Sequence, residues 1–532
     1  MDSQDRNHGK RSRHWIRVRR VLTLALATAA VGLACVPLPD APDPPPITED
    51  GTPGPDAPNI VFVLLDDLDE TATPYWDAMP ATKALVADTG RSFTESFSPT
   101  PICCPARASI LTGQYGHNTG VLTNGGEQGG WETFTEGGGE DRAVSVHLQQ
   151  RGYRTMFVGK YLNGYEEVPT HVPPGWSEWY GAADNLAYTG YGYRLNENGT
   201  LVQYGTQPED YITDVIAEKT VDFIERSEAD DDRPFFTMVT PTAPHFPLPP
   251  APRHGGNEWT DAQPPQTPNF YEADLSDKPW WLQASGDSRD QTRDWNTWDH
   301  RNRMGSLLAV DEMVADIVDA LERTGELDRT VIVLASDNGY NLGSHRLVHK
   351  MAPYEESIRV PLVISGPAVE PGTDDHMVIQ PDWAPTLLDI AGVQPPSYMD
   401  GVSLAPLLDG AHQGPWRDDF IAQYAGGAAL NGIGAELPPE FNFTLGVLLV
   451  AQEIPSYRAL RTGEHLYVEW FGDEWGGWQA TELYDLDSDP YQLDNLLATP
   501  EGRADNAQLV TTMHLRLEEL SECAGAECSQ AT

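Results

Sequence analysis

Long apolar runs that stop abruptly at charged or polar clusters set the plan of this chain. Asn59-Ile-Val-Phe-Val-Leu-Leu65 has no polar alternation, so it predicts a strand buried on both faces of a sheet. It stops at Asp66-Asp67. Thr330–Ala335 repeats the pattern and stops at Ser336-Asp337-Asn338-Gly339. Tyr153–Val158 and Pro234–Thr240 are shorter strand candidates, leading into Gly159-Lys160 and Pro241-Thr-Ala-Pro-His245. Between the strands, Ala143–Gln150 has a helical pattern with Gly152 as its stop. Leu307, Leu308, Met313, Val314, Ile317, Val318 and Leu321 trace one helix face that ends at Gly325. Strands alternating with helices predict an α/β fold: a large mixed, mostly parallel sheet sandwiched by helices.

Two stretches depart from that rhythm. Leu248–Asp299 is rich in Pro, Trp and polar residues without a period, and reads as a long insertion over one face. From about residue 416 the pattern turns antiparallel. Tyr457–Trp470 reads as a hairpin turning near Thr462-Gly463, and Leu509–Leu520 as an amphipathic helix. The expected organisation is a main domain over 59–415 and a smaller C-terminal α+β antiparallel subdomain over 416–532. Cys523 and Cys528 can pair locally in an oxidising compartment.

The first residues read as targeting sequence. Lys10, Arg11, Arg13, Arg17, Arg19 and Arg20 precede an apolar run, Val21–Ala34, too short to span a membrane as an ordinary helix. Residues 1–35 therefore read as an export signal. Leu33-Ala34-Cys35 resembles a lipoprotein cleavage box with Cys35 as the candidate lipid anchor, and Arg19-Arg20 allows a twin-arginine reading. The Pro- and Asp-rich residues 36–58 read as an extended linker. The expected location is extracellular, or the outer face of the cell membrane.

Composition narrows the partners. A formal net charge of −46 excludes nucleic acid as a partner. Any anion this chain binds needs a local basic pocket.

The chemistry gathers where strands end, the edge at which ligands bind in open α/β sheets. Asp66, Asp67, Asp337 and Asn338 offer only hard oxygen donors, which suit Ca²⁺, or Mg²⁺, rather than Zn²⁺. Lys160, His245, Lys350 and Arg107 are the basic complement. Pro101-Ile-Cys-Cys-Pro-Ala-Arg107 predicts a helix start, with Pro105 in the first turn and Gly113 as the stop. Cys103 then lies at the helix N-terminus, and Arg107, four residues on, is placed to reach back toward it. Read alone, Cys103-Cys104 also fits a buried cysteine pair or a vicinal disulfide. His117, His345 and His349 are expected to be loop or supporting residues.

The Cys103-x-Pro105-x-Arg107 run resembles the maturation signature of the type I sulfatases. The resemblance extends through Leu64-Leu-Asp-Asp67, Gly159-Lys160, Ala243-Pro-His245, Ser336-Asp-Asn-Gly339, Lys350 with Tyr354–Leu362, Asp400–Leu407 and Leu483–Pro490. Thr100–Pro105, Gly159–Asn163 and Asp274–Pro279 look most like the N-acetylglucosamine-6-sulfatase branch. The resemblance implies an alkaline-phosphatase/sulfatase-like fold and a maturation enzyme that oxidises Cys103 to formylglycine. It further implies a divalent metal held by Asp66, Asp67, Asp337, Asn338 and the modified residue 103. The substrate it implies is a sulfated carbohydrate, such as 6-sulfated N-acetylglucosamine, or an aryl sulfate ester, with Arg107, Lys160, Lys350 and His245 acting on the sulfate and the leaving alcohol. One position departs: many sulfatases carry a histidine where this chain has Leu162, and Asn163 is the candidate to take over part of that role. Substrate selectivity is expected from Leu248–Asp299 and Gly426–Leu449. A phosphonate monoester or phosphodiester hydrolase, and a catalytically silent glycan-binding protein, are the competing functions.

Overall fold

The strand Asn59–Leu65 lies near the middle of a ten-stranded sheet. The computed structural model describes residues 57–71, 73–230, 233–256, 258–284, 289–426, 454–471 and 478–529. The export segment, all of the linker except Ala57 and Pro58, and the Gly426–Leu449 loop beyond Gly426 therefore lie outside the described residues. Thr330–Ser336, Asn59–Leu65, Phe235–Thr240, Arg154–Gly159 and Glu178–Ala182 run parallel side by side. Antiparallel neighbours flank this centre on both sides.

The unbroken apolar runs are explained by burial on both faces. Val61, Val63 and Leu65 point into one core with Val215, Ile216, Leu307, Val310 and Val314 of two long helices. Ile60, Phe62 and Leu64 point into a second core with Cys104, Ala108, Leu111, Leu148, Leu387 and Leu388. At roughly 1.5–3 kcal/mol per fully buried large apolar side chain, each residue from Ile60 to Leu65 contributes to one core or the other, and a polar substitution has no solvent face to occupy.

The helix carrying Met304–Leu321 begins at Arg289 and runs to Thr324, so the expected insertion ends about ten residues earlier than its sequence suggested. Its opening turns bury Asn296, Asp299, His300 and Arg303, and such a polar buried face carries no hydrophobic period to read.

The C-terminal sheet is separate, four-stranded and antiparallel, in the order Asp419–Tyr424, Tyr457–Thr462, His465–Phe471, Trp478–Asp485. Met513, Leu517 and Leu520 of the helix Ala507–Glu522 pack into its core. Cys523 and Cys528 form a disulfide. No helix among the described residues is long and apolar enough to cross a membrane.

Candidate active site

Four adjacent parallel strands deliver polar groups to one edge. Asp337 and Asn338 follow Thr330–Ser336, Asp66 and Asp67 follow Asn59–Leu65, His245 follows Phe235–Thr240 by a short turn, and Lys160 follows Arg154–Gly159. Backbone bonds between neighbouring strand ends fix their spacing: Asp337 N–H to the Leu65 carbonyl at 3.1 Å, Asp66 N–H to Ala243 at 3.1 Å, and Lys160 N–H to Thr240 at 2.9 Å. The helix Cys103–Thr112 points its first residue into this cluster. Its start is held by Asn124 Oδ1, which accepts from the Cys104 N–H at 2.9 Å, and its end by Gly113, left-handed at φ 70°. Lys350 arrives from the short ribbon of Asn341–Leu342 and Val348–His349.

Around Cys103 Sγ lie Lys350 Nζ at 2.7 Å, Asp66 Oδ1 at 3.7 Å and Asp67 Oδ1 at 3.9 Å. Lys160 Nζ is paired with both Asp66 oxygens at 2.8 and 2.7 Å. Lys350 Nζ also donates to Asp67 Oδ1. Arg107 does not turn back to Cys103 as its spacing suggested. Its Nε bonds Asp337 Oδ2 at 2.8 Å and its Nη1 bonds the Lys160 carbonyl at 2.7 Å, because the buried carboxylate is the stronger partner for a buried guanidinium. Asp67, His349 and Met351 all hold left-handed backbone, with φ of 70°, 69° and 83°. Such residues cost of order 1–3 kcal/mol each and persist where the surroundings over-determine them. At Asp67 the surroundings include Arg303, buried on the long helix, which donates to its carbonyl.

Charge sets the protonation states. Burial raises the Asp66 and Asp67 carboxyls, yet Lys160 beside the first and Lys350 beside the second outweigh it and hold both below the usual range. Burial and the neighbouring Asp66 leave Asp337 raised despite Arg107. Burial pushes the Cys103 thiol up to about 11 and His245 down to about 4. His245 Nδ1 donates to the Phe246 carbonyl, which can only accept, so neutral Nε2 is a lone pair 3.5 Å from Asp67 Oδ2. Asp67 Oδ2 and Asn338 Oδ1 are buried without a hydrogen-bond partner. Facing acceptors and orphaned hard oxygens are what a divalent cation satisfies, so this donor set fits one. Asp66, Asp67, Cys103 and His245 bring their ligand atoms within 4.8 Å of one another.

The strand-end carboxylates, the cysteine at a helix start and the two lysines all fall within a stretch that matches a known sequence family. Residues 58–393 match the family described as Sulfatase. The chain belongs to the sulfatase family. It is 34% identical over 501 residues to the N-acetylglucosamine-6-sulfatase of Capra hircus, covering 88% of this chain and 84% of the goat protein. It is 28% identical over 535 residues to the N-acetylglucosamine-6-O-sulfatase of Bacteroides thetaiotaomicron, covering 87% and 86%. A solved structure of an enzyme with its substrate, D-glucosamine-2-N,6-O-disulfate, superposes with a TM-score of 0.67 at 25% identity, covering 88% of this chain and 98% of that one. The chain is thus a sulfuric ester hydrolase close to the N-acetylglucosamine-6-sulfatase branch, a family that implies a formylglycine and a metal ion.

In this sulfatase a cavity of about 1000 Å³ opens over Cys103, Lys350 and His245. Its described walls come from residues 124–136, 163–168 and 185–189, with Phe246 and Pro247, and none from 248–299. The described residues of that stretch therefore stay off the cavity wall, and a glycine-rich loop forms part of it instead. Asn124-Gly-Gly-Glu-Gln-Gly-Gly-Trp131 was the available signal, since such a run lets backbone approach a ligand closely. Tyr188 was also missed: its ring lies 5.3 Å from Lys160 Nζ and 4.7 Å from the His245 ring. Leu162 is buried in the apolar core, whereas Asn163 lines the cavity with a partnerless Oδ1. His345 pairs with Glu272, His117 contacts the Cys523 carbonyl, and His349 bonds Tyr340 beside Lys350.

Proposed function

We propose that this sulfatase hydrolyses the sulfate monoester of a sulfated sugar such as 6-sulfated N-acetylglucosamine through formylglycine at position 103, with Ca²⁺ as the metal. The observation that carries it is the placement of Cys103 Sγ on the cavity floor, 2.7 Å from Lys350 Nζ and beside Asp66 and Asp67. The names of the goat and Bacteroides relatives, and the substrate in the solved complex, support the sugar. A thiol raised to about 11 is protonated at neutral pH and a poor nucleophile, which supports a requirement for oxidation of Cys103. Once present, formylglycine supplies a reactive carbonyl in place of that thiol, and the cation supplies fixed positive charge for oxygen.

The chain's own residues do the rest. Asp66, Asp67, Asp337 and Asn338 would hold the cation. Lys160, Lys350 and Arg107 balance the three carboxylates, so that a divalent cation leaves the floor net positive and suited to a sulfate ester anion. Of the two candidate donors for the departing alcohol, Lys350 carries protons at neutral pH, its pKa raised because Asp67 and Cys103 outweigh burial. His245 is neutral there with its proton turned to Phe246, so it orients rather than donates. The exported location and the anchor at Cys35 belong to the same proposal.

Mass spectrometry of the tryptic peptide Ser92–Arg107, from protein made in its native host, tests the reading. Formylglycine at 103, with turnover of 4-nitrophenyl sulfate exceeding that of a 4-nitrophenyl phosphonate, supports it. Unmodified Cys103 in fully active enzyme refutes it.

A further inference from the structure

Behind the cavity floor, one buried side chain ties together the ends of three adjacent strands. Arg303 is 1% exposed and lies on the long helix Arg289–Thr324, outside the described cavity lining. Its Nη2 donates to the Asp67 carbonyl, and its Nη1 to the Pro244 carbonyl at 3.2 Å. Its guanidinium also lies 4.0 Å from the centre of the Tyr340 ring. Asp67 follows the strand Asn59–Leu65, Pro244 follows Phe235–Thr240, and Tyr340 follows Thr330–Ser336. A planar guanidinium, with its donors in fixed directions, can serve two carbonyls and a ring face at once. Asp299, one turn earlier on the same helix, is buried beside it as a carboxylate of opposite sign.

The carbonyls that Arg303 holds belong to the residues that matter most at the floor. Asp67 is gripped through its backbone on both sides: its N–H donates to Asp337 Oδ1 at 3.1 Å, and its carbonyl accepts from Arg303. The next N–H, of Leu68, reaches Ser336 Oγ at 2.8 Å. Held at φ 70°, Asp67 turns its carboxylate toward Cys103 and Lys350. Pro244 immediately precedes His245, whose Nε2 faces Asp67 Oδ2 at 3.5 Å. Movement of either loop would change the spacing of those two acceptors. We infer that Arg303 is a positioning residue for the sulfatase reaction, fixing the Asp67 carboxylate against His245 by tying both loops to one helix. This rests on the proposed role of Asp67 as a metal ligand, and adds the side chain that sets that ligand's place.

Two measurements on protein from the native host test it: calorimetric titration of Ca²⁺ into metal-stripped protein, and steady-state turnover of 4-nitrophenyl sulfate at saturating Ca²⁺. Arg303→Met should weaken Ca²⁺ binding about tenfold or more, the usual scale for losing a group that orients a metal ligand. It should lower kcat by about tenfold or more, with KM moving less than about threefold. Arg303→Lys keeps the charge without the planar fork, so both quantities should fall between those of Arg303→Met and wild type. Arg301, half-buried two residues earlier, donates instead to the Ala262 carbonyl at 2.9 Å. Arg301→Met should therefore leave both quantities within about twofold, as a control for loss of an arginine from this helix. Ca²⁺ affinity and kcat both within about twofold of wild type in folded Arg303→Met overturn the inference, and so does a loss carried by KM alone. If Arg303→Met does not fold, Arg303→Lys decides by the same limits. Wild type that lacks Ca²⁺ binding or turnover sinks that part of the proposed function, and the surviving readout then decides for Arg303.

Discussion

Arg107 is the residue whose placement most changes the expected energetics. Its side chain is 2% exposed and pairs with Asp337 at 2.8 Å. Arg107→Met leaves Asp337 buried with only Lys160 Nζ at 4.0 Å and the Asp67 N–H at 3.1 Å. The Lys160 carbonyl keeps a donor, because Thr240 Oγ1 reaches it at 2.9 Å. The cost is therefore set by the stranded carboxylate, and removing one member of a buried pair typically costs about 3–5 kcal/mol. Adding Asp337→Asn removes the stranded charge, so the double variant should recover about 1.5 kcal/mol or more relative to the sum of the single changes. Urea unfolding followed by tryptophan fluorescence, with metal chelated, reads both quantities. The sign with pH is fixed as well. Asp337 is already raised by burial and Asp66, and losing Arg107 raises it further. Its contribution is present at low pH and lost as pH rises through the folded pKa, so Arg107→Met should be less destabilised at pH 5.5 than at pH 8. Strictly additive single variants, within about 0.5 kcal/mol at both pH values, would refute the assignment of Arg107 to Asp337.

Cys103→Ala is expected to abolish sulfate-ester turnover with an unchanged circular dichroism spectrum; normal turnover refutes the role of position 103. Calcium at about one hundred times its dissociation constant should stabilise the protein by about 2.7 kcal/mol in urea titrations, and Asp337→Asn should erase that gain; an equal gain in the variant removes Asp337 from the metal set. His300, buried on the long helix, is pushed down to about 4 by burial, so it resists protonation that the unfolded chain accepts. Its stabilising contribution is present above pH 6.5 and lost as pH falls toward 4, to a depth of roughly 3 kcal/mol. His300→Phe should flatten that part of the stability profile, and an unaltered slope counts against it. Reducing the disulfide Cys523–Cys528, which spans five residues, should cost about 2 kcal/mol and speed exchange at Gly525, whose N–H is held by Asp400 at 2.7 Å; unchanged exchange at Gly525 contradicts that link.

The sequence by itself determined the elements whose signals are local. Continuous apolar runs such as Asn59–Leu65 and Thr330–Ser336 can exist only where both faces of a strand are buried, so the parallel centre of the sheet was legible from them. The polar groups at their ends were legible too, because an abrupt carboxylate pair after such a run needs a partner. Pro105 and Gly113 bracketed the helix that carries Cys103. The tertiary structure alone decided which partner each charge takes. Arg107 turns to Asp337 rather than Cys103 because burial makes a bare carboxylate costlier than an unpaired thiol. The structure also decided that residues 124–136 line the cavity while, among the described residues, none of 248–299 does, since glycine-rich and irregular segments carry no period that fixes their path. The polar turns from Arg289 were hidden for a related reason: their buried face is hydrophilic, and its partners, Asp67 and Tyr340, come from strand ends distant in sequence.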